Sequence, residues 1–161
     1  VCGLTIGKKK YADFEEDCKV AQAKAGELYK GFAEAIDKDT EAFNLVAAAF
    51  KMPKETEEEK AARRKAIADG TLEATKVPYS VMEMAAAGLE VAESMMGKFN
   101  TNAASDLGVA VLKGAWLNVK INLPGVKDEA LAAEYAAKGA EMLEKGEVIA
   151  KKLYAEIEES L

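Results

Sequence analysis

Apolar residues recur in steps of three and four along most of this chain, and no segment alternates apolar with polar as a half-buried strand would. The longest run extends from about Asp13 to Phe50, with a stripe of Phe14, Cys18, Ala21, Ala25, Leu28, Phe32, Ile36, Asp39, Phe43, Val46 and Phe50. That period predicts one long helix with the stripe turned to the core. Asp39 interrupts the stripe, which predicts a carboxylate on the buried face. Such a group must be paired, hydrogen-bonded or held neutral. Pairing is a structural role, whereas a carboxyl held neutral in an apolar setting can act as a general acid or base. Pro53 ends this helix, and Thr56-x-x-Glu59 has the form of a capping box that opens the next. The segment 56–76 carries charge on most faces and is expected at the surface. Pro78 is expected to separate it from a further helix over Tyr79–Met96, whose stripe is Val81, Ala85, Gly88, Ala92 and Met95. Met82, Met84 and Met96 suit core filling.

The most apolar stretch follows a polar loop, Asn100-Thr101-Asn102, that leads through Ser105-Asp106 into a helix ending near Leu123. Val109, Leu112, Trp116, Val119 and Leu123 form one stripe; Ala110, Gly114, Leu117 and Ile121 form another. A helix apolar nearly all round is normally buried on all sides, and its two lysines argue against a membrane span. The fold class expected is therefore all-α, a multi-helix bundle with this helix buried at its centre, walled in by neighbours or by a second copy of the chain. Asn118 and Asn122 stand four apart on it. They suit either hydrogen bonds that fix helix register or a polar patch facing a ligand, fed by the loop at the helix N-terminus. Asp106 suits a helix cap or a second acid/base candidate. Leu123-Pro124-Gly125 turns the chain into a last helix from about Lys127 to Glu159. Its seam is Leu131, Tyr135, Gly139, Met142, Gly146, Ile149, Leu153 and Ile157, with the two glycines marking a close helix crossing. At the other end, VCGLTIG has the form of a helix tail ended by Gly7, and Lys8, Lys9 and Lys10 follow as a solvated turn or a docking point for an acidic substrate tail.

Composition narrows the chemistry. The 161 residues suit one domain over 1–161, and a net charge of −6 speaks against nucleic acid as a partner. There is no histidine, which excludes Ser-His-Asp and Cys-His catalysis and histidine-based metal sites. Any general acid or base is Asp, Glu, Lys, Tyr or Cys. Cys2 and Cys18 lack metal-ligand spacing and suit reduced thiols of a cytoplasmic protein. No metal is expected.

Four motifs in order, GKKKY (7–11), DKDTEAFNLVAAAFKMPKETEEEKAAR (37–63), N-x-x-x-x-SD (100–106) and LNVKINL (117–123), closely resemble the cyclodeaminase domain of formiminotransferase-cyclodeaminase and the free-standing bacterial methenyltetrahydrofolate cyclohydrolases. The resemblance runs from the first residue to about Glu129. In such relatives a glycine-rich segment and the rest of a first helix precede the stretch that matches VCGLTIG. The resemblance implies an all-α homodimer acting on a tetrahydrofolate derivative, with no cofactor beyond tetrahydrofolate as the substrate carrier. The reaction implied is either interconversion of the 5,10-methenyl and 10-formyl forms or closure of 5-formimino-tetrahydrofolate with loss of ammonia. Asp39 and Asp106 are then the catalytic candidates; Asn100, Asn118 and Asn122 suit the donor and acceptor edges of a pterin; Lys8, Lys9 and Lys10 suit a glutamate tail. A non-catalytic helical module that binds folate or another protein is the competing expectation.

Overall fold

The computed structural model describes residues 2–98 and 104–159, the side chains of 104–106 excepted. Among the described residues there is no strand, and the chain is all-α as expected: α1 (Cys2–Thr5), α2 (Glu15–Phe50), α3 (Glu57–Ser94), α4 (Ala104–Asn122) and α5 (Glu129–Glu159), with short 3-10 turns at Lys9–Phe14 and Leu123–Gly125. Gly7 ends α1 with a φ of 78°, a backbone conformation that a side chain disfavours. The capping box forms as expected: the Glu59 amide donates to Thr56 Oγ1 at 3.1 Å, and the Thr56 amide donates to Glu59 Oε2 at 3.1 Å. Asp128 opens α5 in the same way, its Oδ1 accepting from the Leu131 amide at 3.0 Å.

Successive long helices run antiparallel. On α3, Gly70 lies under Val46 of α2 and Met84 under Gly31. From α4, Gly108 sits on Leu89. On α5, Gly139 faces the Trp116 ring, and Gly146 faces Leu112 and Leu89. The α5 seam and its close crossing are therefore as the sequence predicts. The core is built from Tyr79, Met82, Ala85, Leu89, Leu112, Ala115 and Val119.

Three expectations need correction. First, within one chain the buried centre is α3, packing on α2, α4 and α5, and not α4. Within one chain α4 buries Leu112, Ala115 and Val119, but its second stripe is open, with Leu117 59% and Ile121 75% exposed. Second, Ala25 is exposed, and only the half-buried Val46 keeps the α2 stripe past Phe32. Beyond Phe32 the buried residues are Ala35, Ala42 and Ala49, each one position before a large residue of the predicted stripe. One residue is about 100° of helix rotation, so Ile36, Phe43 and Phe50 face outward, 70%, 68% and 58% exposed, and Asp39 is exposed with them. Third, Pro78 does not divide two helices but lies buried inside α3. A proline removes the N–H that the carbonyl four residues earlier requires. Here that carbonyl, Ala74 O, accepts instead from Asn122 Nδ2 at 2.8 Å. The helix continues because α4 supplies the missing donor, and the earlier half of α3 is drawn in far enough to bury Gly70 and Thr75.

This substitution of donors predicts a measurable coupling. Asn122→Ala is expected to cost about 1–3 kcal/mol by leaving a half-buried carbonyl unpaired. In a Pro78→Ala background, where residue 78 regains its own N–H, the same change should cost clearly less. Chemical denaturation of the four variants gives the comparison; equal costs in both backgrounds would rule out the coupling.

Candidate functional site

The exposed part of α2, the Pro78 region of α3 and the middle of α4 enclose a groove of about 630 Å³. Val77, Pro78 and Val81 of α3 line it, flanked by Phe32 and Ile36 of α2 and by Val111 of α4. Asp39 and Thr40 stand on the α2 side and Asn118 on the α4 side. Asp39 is exposed and has no hydrogen bond or ion pair among the described residues. Thr40 Oγ1 donates to Ile36 O at 3.2 Å, and Asn118 Nδ2 donates to Gly114 O at 3.1 Å. An apolar surface with a few convergent polar groups can hold a flat heterocycle by its faces and read its edge. Thr40, Phe32 and Pro78 are groove residues that sequence reasoning did not single out. Phe32 belongs to the α2 stripe and packs on the core while one side of it faces the groove, and the signal for Thr40 is its position beside Asp39.

The predicted site residues fall into two groups. Asp39 and Asn118 share the groove. Asn122 is near them in sequence, and its amide nitrogen donates to Ala74 O, the kind of hydrogen bond that ties α4 to α3. Lys8, Lys9 and Lys10 are exposed at the far end of α2, where Lys10 Nζ lies 5.2 Å from the centre of the Tyr11 ring. From Glu15 to Asp39 α2 rises about 36 Å, and from Asp106 to Asn118 α4 rises about 18 Å. Asp106 therefore starts α4 at the end of the bundle opposite Asn122; its side chain, and Asn100 altogether, lie outside the described residues. One chain alone does not bring the lysines to Asp39.

A second groove, about 480 Å³, runs between α4 and α5 beside Lys113, Glu147, Lys151 and Tyr154. Its central charges neutralise each other: Lys113 Nζ is 2.8 Å from Glu147 Oε1, and the hydrogen bond and charge of Lys113 hold the Glu147 carboxyl below its usual range. It offers no free carboxylate comparable to Asp39. Among the described residues no three His, Cys, Asp or Glu side chains cluster as a metal site, and no helix is long and apolar enough to cross a membrane.

The family profile described as formiminotransferase-cyclodeaminase matches residues 1–141. A methenyltetrahydrofolate cyclohydrolase of Methylorubrum extorquens is 41% identical over 140 residues, an alignment covering 83% of this chain and 67% of that protein. A formimidoyltransferase-cyclodeaminase of Sus scrofa is 32% identical over 115 residues, covering 68% of this chain and 21% of that protein. In three dimensions the chain is similar to the formiminotetrahydrofolate cyclodeaminase of Thermotoga maritima, with a TM-score of 0.54 and 25% identity over 99% of this chain and 76% of that one.

Proposed function

Since this chain belongs to the formiminotransferase-cyclodeaminase family, we propose that it is a methenyltetrahydrofolate cyclohydrolase, opening the 5,10-methenyl bridge of tetrahydrofolate to the 10-formyl form with Asp39 as its acid/base. The observation that carries the reaction is a free carboxylate on the rim of an apolar groove in a chain without histidine. The choice of the hydrolase is supported by the 41% identity to a cyclohydrolase, against 32% to a cyclodeaminase.

The chemistry suits such a site. A water oxygen adds to the cationic methenyl carbon and loses a proton to the Asp39 carboxylate. The resulting tetrahedral carbon collapses by breaking its bond to N5, and the proton held by Asp39 passes to N5. The second proton of the water leaves to solvent, and the one-carbon unit remains on N10 as a formyl group. A negative carboxylate near the ring also stabilises the cation before attack. Asn118, with its amide nitrogen turned to Gly114, offers its carbonyl oxygen to a pterin N–H.

The working unit is a homodimer in this reading. Tyr29, Ile36, Phe43 and Phe50 recur every seven residues along the exposed face of α2, and Leu107, Leu117 and Ile121 lie open on α4. Folded monomers seldom leave so much large apolar surface in water. A second chain laid antiparallel along α2 would cover that face and carry Lys8 of the partner subunit toward the Asp39 end of the groove. Sedimentation at micromolar concentration is expected to give a dimer; a monomer would contradict this assembly. If the lysines hold the glutamate tail, changing Lys8, Lys9 and Lys10 together to alanine should raise KM for polyglutamylated substrate more than for the monoglutamate. The difference should shrink as salt is added, since exposed charges are screened. An equal rise for both substrates would leave the lysines as a solvated turn.

The reaction itself is tested by following methenyl-tetrahydrofolate absorbance with two substrates. Loss of the signal from methenyl-tetrahydrofolate supports the hydrolase. Gain of signal from 5-formimino-tetrahydrofolate, with ammonia released, supports the cyclodeaminase, a reading favoured by the structural likeness to a formiminotetrahydrofolate cyclodeaminase. No change with either substrate would favour a non-catalytic module.

A further inference from the structure

Three sulfur atoms from three helices meet where α1 joins the bundle, at a place unrelated to the groove. Cys18, in the first turns of α2, is fully buried, and its thiol donates to the Cys2 carbonyl at 3.9 Å. Cys2, half-buried in α1, directs its own thiol at Met95 Sδ, 3.8 Å away. Met95 is the residue that closes α3 and is only 5% exposed. Burial pushes the Cys2 thiol up, and the neighbouring Cys18 thiol adds to the rise. Both cysteines are free thiols. Just outside this cluster Lys98 pairs with Asp17, fastening the residue before Cys18 to the chain just after Met95.

Packing alone asks only that these side chains be apolar; it does not ask that the Cys2 thiol lie beside both a second thiol and a thioether. Thiolate and thioether are the donors that select Cu(I), whereas hard cations require oxygen and structural zinc a fourth ligand. Metal–thiolate bonds are about 2.3 Å long, so three sulfurs arranged round one ion stand about 4 Å apart. The Cys2–Met95 separation already has that value. The half-buried Cys2 gives an ion a way in, and Cys18 and Met95 close the other side. The spacing of the cysteines in sequence hides the set, because the third donor comes from α3.

We infer that Cys2, Cys18 and Met95 form a binding site for one soft monovalent cation of the Cu(I) type. Binding forms three metal–sulfur bonds and releases the two thiol protons to solvent with no change of oxidation state. Affinity should therefore rise with pH.

The test is an anaerobic titration of the reduced full chain with Cu(I) against a chromophoric Cu(I) chelator, with X-ray absorption of the loaded protein. The expected result is one ion per chain in a sulfur-only shell, with a melting temperature that rises on loading. Cys2→Ser and Cys18→Ala should abolish competition with the chelator. Met95→Leu, which conserves volume and should leave the fold intact, should weaken binding at least tenfold. Circular dichroism checks that each variant is folded. Binding that survives Met95→Leu unchanged, a shell dominated by oxygen or nitrogen, or no binding by the folded wild-type chain would each overturn the site.

Discussion

Asp39→Asn is expected to lower turnover of methenyl-tetrahydrofolate by ~10²–10⁴-fold, the usual contribution of a positioned acid/base, while changing stability by no more than about 0.5 kcal/mol. The two halves of this expectation rest on different observations. The small stability effect follows from the position of Asp39: it is exposed on α2, without an ion pair or hydrogen bond among the described residues, so amidation breaks nothing. The large rate effect follows from the need to move a proton between water and N5 at a site with no imidazole. Asn keeps the shape and loses the basicity, so KM should move far less than kcat. Steady-state kinetics and thermal melts on the same preparation decide the matter. A folded variant with wild-type turnover would remove Asp39 from the mechanism and transfer its role to Asp106. A variant that loses several kcal/mol would instead show that Asp39 is buried and paired in the assembled protein.

The largest stability effects are expected where α4 crosses α5. Leu112 is fully buried, and its side chain occupies the space that a Cβ on Gly146 would need, with Leu89 beside it. Leu112→Ala should cost about 2–5 kcal/mol through lost burial and the cavity left behind. Gly146→Val should cost about 1–3 kcal/mol by overpacking the same spot. The double variant Leu112→Ala/Gly146→Val should be more stable than the sum of the two losses predicts, because the valine fills part of the space vacated by leucine. Urea denaturation of all four proteins measures this; strict additivity would mean that the two positions do not share the space. At this size each kcal/mol corresponds to about 2–4 °C in Tm.

The helices themselves were legible because their caps and periods are local. Thr56 and Glu59 act through neighbouring backbone groups, and Gly139 and Gly146 recur at a spacing that only one helix face satisfies. What the sequence concealed depends on partners distant along the chain. Pattern reading follows the largest apolar side chains, and on the second half of α2 those are Ile36, Phe43 and Phe50. The helix instead packs through Ala35, Ala42 and Ala49, since small residues let α2 approach α3 at Gly70. A stripe one residue out of phase therefore placed Asp39 in the core when it belongs on a groove. Pro78 was a reasonable stop signal, overridden by an amide from a residue 44 positions later. The candidate site was legible as a set of residue types; its division between two ends of the bundle was not, because helix length sets that separation.

The order in which the helices pack also bears on how the chain reaches its folded state. α2 lies against α3, α3 against α4 and α4 against α5, so most closures join neighbours in sequence. Folds dominated by such local closures form in microseconds to milliseconds. In the homodimer proposed above, meeting a second chain would be a bimolecular step whose rate falls with dilution. Each newly folded chain would then spend an interval with the Tyr29–Phe50 stripe bare, its length set by concentration rather than by sequence. Refolding followed at several protein concentrations should separate a fast, concentration-independent gain of helix from a slower phase that accelerates with concentration. Aggregation should compete during the second phase, when apolar surface is still waiting for its partner.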